Sequence, residues 1–211
     1  MPTQRLTDVL RQLRANTGPE GADPASDREL LDGFASGRDQ AAFERLVARH
    51  GPMVLDVCRR GLANEADAED AFQATFLVLA RKAGRIGWGE LVANWLYGVA
   101  RRTAARARVE AAKRRARESA APSPQASPDP LDRVTARELL DLLDEEISRV
   151  PVRYRGPLVA CHLEGKTRDE AAEEFGWSLA TLARRLERGR KLLGARLARR
   201  GLALAVVGPL A

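Results

Sequence analysis

Apolar residues recur at spacings of three and four along most of the chain, which is the period of amphipathic helices. The clearest case lies between residues 66 and 82, where the recurring positions are Ala68, Ala71, Phe72, Phe76 and Leu79. No segment shows the two-residue alternation typical of strands. The pattern therefore predicts an all-α protein. A helix is expected at 27–37, then one that ends at 50–52, one around 54–58, and one that Asn64 can cap and Gly84 interrupts. Helices at about 90–118, 131–149 and 154–163 follow, and then two more.

Glycine and proline predict where these helices end and how the chain is divided. The sequence His50-Gly51-Pro52 predicts the end of one helix and the start of another. Residues 119–130 read SAAPSPQASPDP and contain too few apolar residues to form a core, so they predict an extended linker. We expect a mobile arm at 1–25, two small helical domains at 26–118 and 131–200, and an apolar tail at 201–211 that is too short to span a membrane.

Charge changes the picture more through its distribution than through its total. The 211-residue chain has 35 basic and 29 acidic residues, a formal net charge of +6. Residues 101–117 contain eight basic residues and one acid, and residues 184–200 repeat that ratio. Acidic residues cluster instead at 65–70. Two basic segments favour a polyanionic partner, either nucleic acid or an anionic membrane.

The sequence does not predict a metal site, a disulfide or a catalytic site. Cys58 and Cys161 lie about a hundred residues apart without a CxxC spacing, which predicts two free thiols in a reducing cytoplasm. His50 and His162 have no further ligands nearby, so neither a metal nor another cofactor is expected. No apolar signal core precedes the first helix, and no catalytic motif is visible, so we expect a cytoplasmic protein that is not an enzyme.

Residues 167–193 have the pattern of a helix-turn-helix. Thr167 and Glu170 form a capping box, Gly176 can end the first helix, and Ser178 can cap the second. Polar and basic residues in the first turns of the second helix suit insertion into the major groove of DNA. A helical hairpin with a solvated basic face is the alternative.

Two further segments resemble bacterial RNA polymerase sigma factors. Residues 66–82 carry an acidic-Asp-x-x-Gln-x-x-Phe pattern, and residues 94–102 carry Trp-Leu-Tyr followed by a basic run. The helix-turn-helix resembles the −35 reader of the same family between residues 170 and 190. The resemblance covers residues 27–118 and 131–195 and is closest to the extracytoplasmic-function (ECF) group, which keeps only these two domains.

The resemblance implies a factor that binds core RNA polymerase and directs promoter recognition and transcription initiation. Its partners would be the polymerase β′ clamp helices and β flap, promoter DNA, and an anti-sigma factor. The implied polymerase-binding residues are Asp67, Asp70, Gln73 and Phe76. The implied −10 contacts are Trp88, Trp95, Tyr97, Arg101, Arg102 and Arg106. The implied −35 contacts are Ser178, Ala180, Thr181, Arg184, Arg185 and Arg188.

Several positions keep other interpretations open. Trp88, set among glycines, is the favoured residue for capturing a flipped −10 base, whereas Trp95 suits the core equally well. The family often has Asn at Arg102 and Asp at Arg106, so this chain is expected to differ from the family in its −10 base preference. It often has Gly at Ala180 and a basic residue at Ala183, so one phosphate contact is expected to be missing. A free-standing helix-turn-helix regulator, or an adaptor that binds polymerase without DNA, are the alternative functions.

Overall fold

The computed structural model describes residues 25–37, 39–86, 91–118 and 136–201. These residues form α-helices joined by short turns, with no strand among them, so the all-α prediction is confirmed. The predicted linker, nearly all of the arm and all but the first residue of the apolar tail lie outside the described residues. The helices are α1 (Asp27–Gly37), α2 (Gln40–Gly61), α3 (Glu65–Lys82), α4 (Val92–Glu118), α5 (Ala136–Ser148), α6 (Val152–His162), α7 (Arg168–Phe175) and α8 (Leu179–Arg199).

Side chains that cap the backbone decide where several helices begin. The Asp39 carboxylate accepts from the N–H groups of Ala41 and Ala42 at the start of α2. Asn64 accepts from the N–H of Ala66 at the start of α3, as the sequence predicts. Each cap satisfies backbone donors that have no partner within the helix.

The predicted helix end at residues 50–52 is wrong, because α2 continues through Pro52. Proline has no N–H to donate to the carbonyl of Ala48, and an interior proline costs a helix about 3 kcal/mol. The residues on both sides of Pro52 are buried in the same core, including Val47 and Val54. Packing of one continuous apolar face therefore outweighs the local cost of the proline.

Aromatic rings fill the centre of the first four helices. The ring centroids of Phe34 and Phe43 lie 4.7 Å apart, and those of Phe72 and Phe76 lie 4.9 Å apart. Phe43 meets Phe76 edge to face at 6.4 Å, which is a favourable ring geometry. These contacts bring α1, α2 and α3 together around one core.

The helix-turn-helix forms as the sequence predicts. Thr167 and Glu170 make both reciprocal bonds of the capping box at the start of α7. Gly176 adopts a left-handed conformation, with φ of +62°, and ends the helix. The Ser178 hydroxyl accepts from the N–H of Thr181 at the start of α8. A small separate cluster, Ala160, Ala171, Ala172 and Leu182, holds the two helices together.

The two halves of the chain are in direct contact. Helices α5 and α6 pack against α2 and α4, and one continuous group of buried residues extends from Leu30 in α1 to Leu197 in α8. The sequence predicts two small helical domains joined by a proline-rich linker, and the described residues of both share this group of buried residues. The boundaries at 118 and 131 adjoin residues that the structure leaves undescribed and stay predictions. None of the described helices is long and apolar enough to cross a membrane.

Candidate nucleic-acid and partner interfaces

The predicted polymerase-binding residues divide into surface and core positions. Asp70 is exposed, and Asp67 and Gln73 are half-buried on α3. The carboxylate of Asp67 lies 3.5 Å from the guanidinium of Arg114 on α4. An ion pair at this distance, with solvated side chains, adds little stability. The carboxylates of Asp67 and Asp70 therefore remain available to a partner.

Phe76 does not share that surface. Its ring is fully buried between Phe72 and Phe43, so its assignment as a contact residue is corrected to a core residue. The next residue, Leu77, is 50% exposed. The helical period could have revealed this, because positions 70, 73 and 77 share one face of α3 while positions 68, 72, 76 and 79 share the opposite one.

The predicted −10 contacts on α4 also separate. Arg102 and Arg106 are exposed, and Trp95 is half-buried against the core. Tyr97 is fully buried, and its hydroxyl donates to the backbone carbonyl of Asp144 on α5 at 2.7 Å. Burial also raises the pKa of Tyr97. In this arrangement Tyr97 cannot stack on a base, which corrects the sequence prediction; Trp88 lies outside the described residues.

Arg101, the remaining basic residue of that group, is engaged by α5. Its guanidinium donates to Asp141 at 2.5 Å, and Arg108, two turns further along α4, donates to the other oxygen of Asp141 at 2.6 Å. On α2, Arg60 donates to Asp144 at 2.5 Å. Three arginines of the first half of the chain therefore contact two carboxylates of the second half.

The surface of the helix-turn-helix presents three residues one turn apart. Ala180, Arg184 and Arg188 are exposed on the same face of α8. Ser178 and Thr181 are occupied by the cap, where the Ser178 hydroxyl donates to the Thr181 hydroxyl at 3.0 Å. This face of α8 is therefore apolar in its first turn, at Ala180, and basic in the next two turns, at Arg184 and Arg188.

Arg185 is held by aromatic rings at the turn. Its guanidinium lies 3.9 Å from the centre of the Trp177 ring, and Trp177 stacks on Phe175 at 4.3 Å. A cation over an indole face is attracted by the ring quadrupole. Contact between Arg185 and a base remains a prediction. If the contact forms, stacking on Trp177 would fix the orientation of the Arg185 guanidinium toward the base.

A buried ionic cluster, which sequence analysis missed, joins the two halves at another point. The imidazole of His50 lies 2.7 Å from Asp27 through Nε2 and 2.7 Å from Glu164 through Nδ1. Arg49 donates to Asp27 at 2.6 Å, and Lys166 lies 3.0 Å from Glu164. His50 and Glu164 are 114 positions apart, so no local pattern could indicate the contact.

The charged groups of the cluster shift one another's pKa values. Burial alone would lower the pKa of His50, but the carboxylates of Asp27 and Glu164 outweigh it and raise that pKa to about 9. Burial alone would raise the pKa of both carboxyl groups, yet the charged imidazole holds them below their ordinary values. His50 is therefore a cation clamped between two anions. Among the described residues, no group of His, Cys, Asp and Glu suits a metal ion.

Comparison with known proteins identifies the family. Residues 46–116 match the model of Sigma-70 region 2, and residues 140–193 match that of Sigma-70 region 4. The sigma factor CarQ of Myxococcus xanthus is 35% identical over 74% of this chain and 91% of its own length. The ECF sigma factor SigM of Mycobacterium tuberculosis is 30% identical over 85% and 86%, respectively.

The similarity to a solved structure is more distant. The similar chain in the structure of CnrH in complex with the cytosolic domain of CnrY has 24% sequence identity to this chain and a TM-score of 0.39. The match covers 83% of this chain and 99% of the other chain. The family models and the curated relatives carry the assignment. The chain belongs to the ECF group of RNA polymerase sigma factors, which bind core RNA polymerase and direct promoter recognition and transcription initiation.

Proposed function

We propose that this sigma factor docks on core polymerase through α3, opens the −10 element with α4, and reads the −35 element with α8. The observation that supports this division most strongly is an exposed acidic face and a capped, arginine-bearing helix-turn-helix in one chain. Residues 26–118 and 131–200 are the two functional domains. The linker between them, residues 119–130, runs toward the active-site cleft of polymerase. The chain contributes recognition and no catalysis, and it acts in the cytoplasm beside polymerase.

The docking surface consists of Asp70, Gln73 and Leu77, with Asp67 at its edge. A half-exposed leucine beside acidic and amide groups has the make-up of a protein interface, in which an apolar centre is surrounded by polar groups. Its acidity fits a basic partner surface, which we assign to the β′ clamp helices. A free-standing regulator would have no use for this face, which is why that alternative is not favoured.

Reversing the charge of Asp70 with Asp70→Lys should weaken binding to core polymerase about tenfold, because like charges would then face each other across the interface. Fluorescence anisotropy of the labelled full chain titrated with core polymerase measures this affinity. Glu44→Lys is the matched control: Glu44 is also exposed and helical, but it lies on α2. Equal affinities for the two variants would move the docking surface elsewhere.

The −35 surface consists of Arg184 and Arg188, one turn apart on α8. Recognition helices place their N-terminal residues against base edges, so Arg184 in the second turn is the better base reader. Arg188 lies a turn further from the N-terminus and faces the phosphate backbone. Arg190 is half-buried, and its guanidinium donates to Nε2 of His162 at 3.3 Å, so it is less exposed than Arg184 and Arg188.

Arg184→Ala should reduce binding to the preferred −35 duplex about tenfold and relax the preference at one base position, because arginine reads guanine through two hydrogen bonds. Arg188→Ala should instead weaken binding to all duplexes alike and make the salt dependence shallower. Electrophoretic mobility shifts with preferred and scrambled duplexes, at several salt concentrations, measure both effects. If Arg184→Ala lowers both affinities equally, Arg184 grips phosphate and another residue reads the base.

A further inference from the structure

The contact between α5 and α4 covers one particular stripe of α4. Tyr97, Arg101, Ala104 and Arg108 follow each other at spacings of four, three and four, so they lie along one face of the helix. Tyr97 and Ala104 are buried, and the guanidinium groups of Arg101 and Arg108 both donate to Asp141. Arg102 and Arg106, on the adjoining face, are exposed. The second half of the chain thus covers Arg101, one of the predicted −10 contacts, together with Arg108.

The groups on α5 that make this contact are chemically similar to a nucleic-acid backbone. Asp141 and Asp144 lie about one turn apart and present carboxylate oxygens 2.5–2.6 Å from Arg60, Arg101 and Arg108. Arginine binds carboxylate and phosphate with the same planar, two-pronged geometry. The arginines that hold α5 in place are therefore equally suited to two phosphates of a single strand.

We infer that α5 is an intramolecular competitor for nucleic acid: Asp141 and Asp144 occupy the places of strand phosphates on Arg60, Arg101 and Arg108, and hold the free chain closed. The inference rests on the proposed −10 role of α4 and adds Arg60 and Arg108 to the residues that contact the melted strand. Binding of the two halves of the chain to polymerase would draw α5 away and expose the stripe.

The contact has the properties that a displaceable competitor needs. A tethered group acts at a high effective concentration, so the three ion pairs to Asp141 and Asp144 suffice to exclude free strands. The Arg108 side chain is more than half exposed, and a cleft lined by Arg60, Arg108, Arg115 and Asp141 opens beside the pairs. The exposed Arg108–Asp141 pair is individually weak, so a phosphate that approaches through the cleft can replace Asp141 there first. The pairs Arg60–Asp144 and Arg101–Asp141 are more buried and separate when α5 moves away.

The double variant Asp141→Asn/Asp144→Asn tests the competition in the full chain. Asparagine keeps the size of both side chains, and the bond from Tyr97 to the Asp144 backbone carbonyl is preserved. The matched control is Glu110→Gln/Glu145→Gln, which changes net charge equally. Glu110 pairs with Lys113 within α4, and Glu145 pairs with Arg149 and Arg200 of its own half. Neither control residue touches the stripe.

The probe is a fluorescein-labelled twelve-residue oligothymidylate, because the stripe should bind phosphates without regard to sequence. Without polymerase, the Asp141/Asp144 double variant should bind it about tenfold more tightly than the control at low salt, with a steeper salt dependence. Small-angle scattering should show a larger radius of gyration for that variant alone. Arg60→Gln should also expand the chain but gain less affinity, because it loses one phosphate contact.

Equal affinity of the double variant and the control would overturn the competition, whatever the radius of gyration shows. A tighter complex without steeper salt dependence would overturn the assignment of the arginines to phosphates. Run-off transcription and promoter opening by the wild-type holoenzyme test the proposed function separately. If the holoenzyme opens no promoter, the proposed function fails, while the oligothymidylate comparison still decides the role of α5.

Discussion

Replacing His50 with glutamine should lower the free energy of unfolding of the full chain by about 3 kcal/mol, the low end of the range for breaking a buried ion pair. The imidazole is fully buried between Asp27 and Glu164, 2.7 Å from each. Glutamine removes the positive charge and leaves two anions in a poorly solvated site. Arg49 and Lys166 still compensate part of that charge. Urea unfolding followed by circular dichroism measures the loss.

The effect of His50→Gln should depend on pH. Because the folded-state pKa of His50 is raised from 6.5 to about 9, its stabilising charge is fully present below about pH 6.5. This contribution decreases as the pH rises and is lost above about pH 9. The difference in stability between wild type and variant should therefore shrink between pH 7 and pH 9.5.

His162→Gln is the matched control for this pH dependence. The pKa of His162 is lowered by burial and by the charges of Arg190 and Arg168, so this histidine is neutral throughout the same interval. Its Nε2 accepts from Arg190, and the charges that act on it from the described part of the chain are those of two arginines. The stability difference for His162→Gln should stay constant from pH 7 to pH 9.5. A constant difference for His50→Gln as well would mean that His50 carries no charge.

The features that the sequence predicts well depend on residues within one helical turn of each other. The caps at Asn64, Thr167 and Ser178, and the left-handed glycine at Gly176, are set by local hydrogen bonds and backbone sterics. Their spacing can be read directly along the chain. These features locate the helix-turn-helix correctly before any tertiary contact is known.

The errors arise where distant residues decide the outcome. Pro52 stays inside a helix because its neighbours are buried in a shared core, and Tyr97 is covered by α5, forty-seven positions away. From sequence alone, the basic segment at residues 101–117 predicts a solvated or nucleic-acid-binding face. The carboxylate that engages Arg101 follows forty positions later, beyond the predicted linker. Phe76 differs, since the helical period alone could have placed it in the core.

The second large effect concerns a tight contact between α6 and α8 at Gly189. A Cβ atom at Gly189 would lie 2.9 Å from the backbone oxygen of Tyr154 and 3.2 Å from the Leu158 side chain. In an open helix, glycine to alanine stabilises by up to about 1 kcal/mol. At Gly189 the backbone oxygen cannot rotate away, so the two helices must separate, and overpacking of this kind destabilises by about 1–3 kcal/mol.

Gly189→Ala should therefore destabilise the chain by about 2 kcal/mol and loosen the helix-turn-helix, because α8 carries both this contact and the exposed arginines. Gly37→Ala is the matched control, since a Cβ there meets no atom within 4 Å. Thermal unfolding should show a lower midpoint for the first variant and an unchanged or higher one for the second. Because both exchanges add the same methyl group to a helix, equal midpoints would show that α6 and α8 are not in close contact at Gly189.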